Sequence, residues 1–293
     1  MEKITRQVFD PLLGYPNLGL GSDNIAGSKF HHEEPAVTIV KNAKATLVAV
    51  AAACTLAACG GGGDGGSAAT TPFAVQGGWQ GTASTGEVVQ AIVLEDGTLW
   101  AIAGPSSGSS FYPTDLFQGT LQASNGTLSS SNLRGYDFAT GVSISGSIAG
   151  TYVAGTSMTM TVTPTGSAAV GVNVSAVASA DYDYSQPAQL ATLAGSWPGF
   201  FSSLESGTVN IQSNGTFTTT TSLGCRINGV ATARASGKNV FNVSLTFGAA
   251  PCNLPGASGS GIAVITRNGT TSQLTVAVTT ADRAYAGAFF GRR

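Results

Sequence analysis

Four cysteines, two histidines that both lie in the first 32 residues, and a charged fraction of only 10% define the chemistry open to this 293-residue chain. The cysteines stand at positions 54, 59, 225 and 252. Thiolates can take up lipid, metal or a disulfide partner, and their surroundings decide which. Histidine, the commonest general base and neutral metal ligand, does not occur after His32. A serine nucleophile would then need a lysine or a carboxylate beside it. The one lysine after Gly60 is Lys238, at a predicted hairpin tip. No Gly-x-Ser-x-Gly elbow occurs, and Gly195-Ser196-Trp197-Pro198-Gly199 places its serine one position early. Asp181 and Asp183 are spaced like the first ligands of a calcium loop, but the glycine and glutamate that such a loop needs further on are missing. They read instead as flanking Tyr182 and Tyr184 in an interdomain segment. Glu95-Asp96 reads as a polar hairpin turn, since a glycosidase pair needs a second carboxylate that the sequence does not place. The expectation is a protein without catalytic residues, metal or cofactor, and so not an enzyme.

Cysteine 59 has a more specific setting. From Val37 the chain carries Lys41 and Lys44 and then an uncharged apolar run from Ala45 to Leu56. That is the layout of a secretory signal, and the run is too short to span a bilayer as a helix. Its end, Leu56-Ala57-Ala58-Cys59-Gly60, resembles the lipobox of bacterial lipoproteins. The resemblance implies a diacylglycerol on the Cys59 thiol, cleavage before Cys59, and acylation of the new amino terminus. Three acyl chains, at about 0.8 kcal/mol per buried methylene, exceed what stable membrane anchoring requires. Gly60, where the enteric sorting rule would need Asp for inner-membrane retention, points to the outer membrane. Gly60 to Gly66, broken only by Asp64, forms a flexible leash.

Residues 1–36 precede a signal that should begin near the amino terminus. They hold Pro11, Pro16 and Pro35 and no sustained periodicity. They are expected to be an upstream extension rather than part of the natural product, with translation starting at Val37. The organisation expected is therefore 1–36 extension, 37–58 signal, 59–71 lipidated cysteine and linker, 72–184 first domain and 185–293 second domain.

These two domains are expected to be all-β. Thr, Val, Ser and Gly are abundant, whereas Lys, Glu and Leu are scarce. An internal repeat divides the region in two. Gly77-Gly78-Trp79-Gln80-Gly81 and Gly195-Ser196-Trp197-Pro198-Gly199 share Gly-x-Trp-x-Gly, and each is followed by a valine-rich run and an Asp-Gly-Thr or Asn-Gly-Thr turn. Trp79 to Gly97 and Trp197 to Gly215 are both 18 residues apart. "GTYVAGTSMTMTVT" and "GIAVITRNGTTSQLTVAVT" correspond more loosely. Alternation in "NVFNVSLTF", "QLTVAVTT", "SMTMTVTP" and "GVNVSAVAS" predicts half-buried antiparallel strands. Asp96-Gly97, Asn125-Gly126, Asn214-Gly215, Asn228-Gly229 and Asn268-Gly269 predict tight hairpin turns. Each domain is then a small antiparallel barrel or sandwich. Ser185 is expected to cap one or two helical turns, with Pro187 in the first turn and Gly195 as terminator; Pro72–Gly77 would play the same part before the first domain. Trp79, Trp100 and Trp197 are expected as core anchors.

Gly-x-Trp near the start of a small barrel resembles lipocalins. The whole pattern is similar to two-domain proteobacterial lipoproteins and, more remotely, to surface lipoproteins that bind transferrin or complement factor H. These resemblances are architectural and carry no binding residues.

In an oxidising compartment Cys225 and Cys252 form an even pair. A hairpin of Arg226–Ala235 with Val240–Phe247, turning about Gly237 and Lys238, pairs residues whose numbers sum to about 475. The two cysteines sum to 477, which sets them nearly opposite at its open end. A bridge there stabilises by about 3–4 kcal/mol on the chain-entropy view.

A net charge of −2, with seven scattered arginines and one lysine after Gly60, gives no basic face for nucleic acid. With 8% aromatics and many Ser and Thr on strand faces, a transmembrane barrel is disfavoured. The sequence thus leads to an outer-membrane lipoprotein serving as a binding or display module for an unidentified protein or small molecule. A lipocalin-like carrier of a small apolar ligand is the alternative.

Overall fold

The computed structural model describes residues 73–107 and 110–293, so the lipobox, Cys59 and everything before them lie outside the described residues. The described chain is all-β: two closed eight-stranded antiparallel barrels in tandem. Barrel 1 is built from β1 (Gly77–Ala83), β2 (Val88–Val93), β3 (Thr98–Gly104), then the small ladder of β4 (Ser106–Ser107) and β5 (Ser110–Phe111). It continues with β6 (Asp115–Thr120), β7 (Gln122–Ser124), β8 (Thr127–Asp137), β9 (Ser143–Val153), β10 (Ser157–Pro164) and β11 (Val170–Ala176). Pairing of β1 with β11 and of β6 with β8 closes the ring. Barrel 2 follows a single helical turn, α1 (Leu190–Leu193). Its strands are β12 (Gly195–Phe201), β13 (Ser206–Ile211), β14 (Thr216–Thr220), β15 (Arg226–Ala233), β16 (Phe241–Phe247), β17 (Ser258–Asn268), β18 (Thr271–Thr279) and β19 (Ala286–Arg292), with β12 on β19 closing the ring. The barrel alternative therefore holds over the sandwich.

The repeated motif has the same physical task in both copies. Each indole is buried and donates from Nε1 to the carbonyl four residues earlier, Trp79 to Val75 at 3.0 Å and Trp197 to Leu193 at 2.8 Å. The last glycine of each motif sits where the first strand crosses the last. A Cβ on Gly81 would lie 1.9 Å from the Asn173 carbonyl oxygen, and one on Gly199 would lie 2.1 Å from that of Phe290. The turns repeat as well: Gly97 N–H donates to Leu94 O and Gly215 N–H to Gln212 O, while the carbonyls of Gly97 and Gly215 accept from Leu121 and Ala231. Asp96 and Asn214 each accept the N–H two residues on.

Four of the five predicted turns are found. Asn228-Gly229 is not one of them, because it lies inside β15. Gly229 is there for space: a Cβ would come within 2.4 Å of the Phe217 ring. The β15–β16 ladder pairs Ile227 with Phe247 and Ala233 with Phe241, a sum of 474. Ser185 does not cap α1, whose N-cap is Gln189 without a side-chain bond. Both the N–H and the hydroxyl of Ser185 turn back to Asp183 Oδ1, at 3.0 and 2.6 Å. Ahead of barrel 1, residues 73–76 form a turn rather than a helix.

Burial alternates as expected in β10, β11 and β16, but β18 is covered on both faces, as are β2, β3 and the middle of β17. Ile92, Leu94, Trp100 and Ile102 point outward from barrel 1 and pack with Ile262, Val264, Ala277 and Phe290 from the outside of barrel 2. The linker tyrosines Tyr182 and Tyr184 join this shared core. Trp100 is thus an anchor between barrels rather than within one. Polar clamps border it. Arg234 of barrel 2 reaches Glu95 at 2.7 Å and Asp96 at 2.8 Å, and the Tyr184 hydroxyl donates to Glu95 at 2.8 Å. Burial alone would raise the Glu95 pKa, but hydrogen bonds from Arg234, from the backbone and from Tyr184 outweigh it and hold the carboxyl at about 2. Arg283 donates to the carbonyls of Gln118 and Asn132 across the same boundary. Among the described residues no helix is long and apolar enough to cross a membrane.

Candidate functional site

Inside barrel 2 an apolar cavity of about 160 Å3 runs from Leu193 at the end plugged by α1 to the loops 202–205 and 248–257 at the opposite end. Its wall is made by inward residues of all eight strands, among them Val209, Phe217, Ile227, Val243, Val276 and Phe289. Arg293 holds the plugged end shut. Its Nη1 and Nη2 donate to the carbonyls of Ala194 and Thr192 at 2.8 and 2.6 Å, and its guanidinium carbon lies 3.9 Å from the centre of the Trp197 ring.

Ladder register shows how the two interiors diverged. Gly81 pairs with Val174 and Gly199 with Gly291, which aligns the closing strands position by position. Carried through the neighbouring ladders, Val89 becomes Gly207, Met160 becomes Val276 and Ile148 becomes Gly261. Two changes run the other way, Ala83 to Phe201 and Val172 to Phe289. Barrel 1 is filled by Leu99, Leu128, Leu133, Ile148, Met158 and Met160, all buried. Long flexible methionines are good gap-fillers, and β-branched valine at the same register leaves the gap.

The open end of barrel 2 has three further features. Cys225 and Cys252 are disulfide-bonded with a Cα–Cα distance of 4.5 Å, tying the β14–β15 loop to the β16–β17 loop. Leu204 is 84% exposed with φ of 63°, although the left-handed region is unfavourable for a branched side chain. Leu223 in the disulfide-bearing loop is also exposed. Glu205, between Leu204 and β13, lines the cavity, and its Oε2 is buried without a hydrogen-bond partner.

Of the residues singled out by sequence, Cys225 and Cys252 meet as expected. Leu56, Ala57, Ala58, Cys59 and Gly60 lie outside the described residues. Glu95 and Asp96 do occupy the β2–β3 turn, and they are also the barrel-1 half of the Arg234 clamp, which sequence reasoning missed because the partner is 138 residues or more away. Asp183 serves the Ser185 turn and Asp181 accepts Arg267 N–H at 2.9 Å through its carbonyl. At the matching end of barrel 1, Asp115 and Asp137 are cross-strand partners. Burial raises the Asp115 pKa against a hydrogen bond from Thr114, and repulsion from Asp137 and Glu87 adds to the rise. Among the described residues no group of three or more His, Cys, Asp or Glu side chains is arranged to hold a metal ion. Glu205 and the cavity were also missed. A signal was present: Glu205 follows Trp197 by eight residues, as Glu87 follows Trp79.

No protein-family model and no curated protein matches the chain. Among solved structures it is similar, at a TM-score of 0.22 and 12% identity, to the crystal structure of a protein of unknown function from the DUF3598 family of Nostoc punctiforme, over 74% of this chain and 94% of that one.

Proposed function

We propose that the chain is a lipid-anchored, non-enzymatic binding protein of the outer membrane whose second barrel receives a compact apolar ligand. The cavity in barrel 2 carries this reading. Its wall is almost wholly hydrocarbon and aromatic, its polar groups gather at one end, and that end is the one not plugged by α1. Small-ligand sites have this composition. The volume limits the occupant, since a cavity of about 150 Å3 lined by Leu, Ile and Phe accommodates benzene. A single ring with a short substituent fits; a long acyl chain does not. Anchoring rests on the lipobox at Leu56–Gly60, and the glycines after Cys59 give the barrels reach from the membrane.

Toluene titrated into the protein and followed by NMR or thermal shift tests the ligand reading. It should bind saturably, and Val276→Met, which places the barrel-1 side chain at the same register, should weaken binding about tenfold or more while keeping the fold. Absence of binding to the wild type, or undiminished binding to V276M, overturns it. Cys59→Ala should release the protein from membranes, and a variant that still sediments with them overturns the anchoring.

A further inference from the structure

Resting on the reading of barrel 2 as a small-ligand site, we propose that its ligand is a compact apolar amine, with the ammonium group held by Glu205 at the mouth and the hydrocarbon part inside the barrel. A carboxylate oxygen in such a place needs a donor. Glu205 Oε2 is buried and has no partner among the described residues, and leaving a buried acceptor unpaired costs free energy that a hydrogen bond recovers. Neither lysine nor arginine is among the residues that line the cavity, so the wall offers no internal cation. The hydroxyl of Thr219 is already used, donating to the Thr208 carbonyl at 3.0 Å.

Barrel 1 supplies the control within the same molecule. Glu87 stands at the matching position, and its Oε2 accepts from the Thr85 hydroxyl at 2.9 Å, closing its own turn. Ser203 occupies the Thr85 position in barrel 2 and is exposed. The duplicated acid is therefore spent in the filled barrel and free in the hollow one.

The rest of the wall suits the same ligand. Phe201, Phe217, Phe247 and Phe289 line the cavity, and aromatic rings attract an ammonium group as well as hydrocarbon. A carboxylate at the mouth repels an acid, so fatty or aryl acids are rejected.

The test compares three ligands of one shape class on the full chain near neutral pH: toluene, benzylamine and phenylacetate, by calorimetry or NMR. Benzylamine should bind about tenfold or more tighter than toluene, as a charge-assisted hydrogen bond predicts, and phenylacetate more weakly than toluene. Glu205→Gln should abolish the preference for benzylamine over toluene, while Glu87→Gln should leave that preference as it is in the wild type. Equal binding of toluene and benzylamine by the wild type, or a preference that survives in E205Q, overturns the amine assignment and leaves the cavity reading standing. Failure of all three ligands to bind overturns both. The wild-type comparison decides the matter even if E205Q does not fold.

Discussion

Barrel 1 and barrel 2 share a framework down to single hydrogen bonds, yet one is filled and closed and the other is hollow and strained at its mouth. The shared parts are those that make a barrel: the indole tied to a carbonyl four residues back, the glycine where the ring closes, and the Asx-Gly turn after the second strand. The divergent parts lie at the opposite end from the plug. There Met160 gives way to Val276, Ile148 to Gly261, Gly86 to Leu204 and a satisfied glutamate to an unsatisfied one. Duplication thus preserved what folding requires and released what a site can use. The apolar seam between the barrels then lets the filled copy act as a base for the hollow one.

The largest effect should come from the framework. Gly81→Val and Gly199→Val each drive a side chain into the backbone of the closing strand, and each should destabilise by about 3 kcal/mol or more in urea unfolding. Because Trp100, Ile102, Ile262 and Phe290 belong to one core, both variants should unfold in a single transition. Two separated transitions would show that the barrels are independent and that barrel 1 is no base at all.

Much of that framework was legible in the sequence because it is local. Turn residues, strand alternation and the 18-residue spacing act within one hairpin, and the cysteine pair needed only one correctly placed register. The seam was harder, since it depends on which outer faces meet, although a trace existed: "AIVL" at 91–94 and "IAVI" at 262–265 are continuous apolar runs rather than alternating ones, the pattern of strands covered on both sides. The Arg234 clamp left no trace, because nothing local links Arg234 to a turn so far back in the chain. A cavity is illegible for a different reason. It depends on the sum of side chains from eight strands, and no single substitution announces it.

Next in size is the clamp between the barrels. Arg234→Ala leaves Glu95 without its strongest partner at a partly buried boundary and should cost about 1–3 kcal/mol. Acid should mimic it. The Glu95 carboxyl is held at about 2 in the folded protein against 4.5 for an ordinary glutamate, so the stabilisation it provides is complete above about pH 5 and is lost as pH falls from 4.5 towards 2. The urea midpoint of the wild type should drop through that window and that of R234A should drop less. Parallel curves for the two proteins would remove Glu95 from the account of how the copies are joined.

The smallest effect is also the most direct probe of why the copies differ. The turn before the second strand needs a left-handed residue in both barrels, and its bonds match: Ala83 and Phe201 accept from Gly86 and Leu204, and donate to the carbonyls of Glu87 and Glu205. Barrel 1 meets the need with Gly86 at φ of 90°, whereas barrel 2 places Leu204 there at 63°, exposed beside the cavity mouth. A left-handed leucine costs about 1–2 kcal/mol, and glycine gives part of that back in unfolded-state entropy. Leu204→Gly should therefore stabilise barrel 2 by about 0.5–1 kcal/mol, and the reciprocal Gly86→Leu should destabilise barrel 1 by a similar amount. If the leucine is kept for the ligand, L204G should gain that stability while losing affinity for the ligand of barrel 2 severalfold, because Leu204 adjoins Glu205 and Ser203, which line the cavity. A variant that is less stable than the wild type would mean that the leucine supports the fold, and that strain at the mouth is not what separates the two barrels.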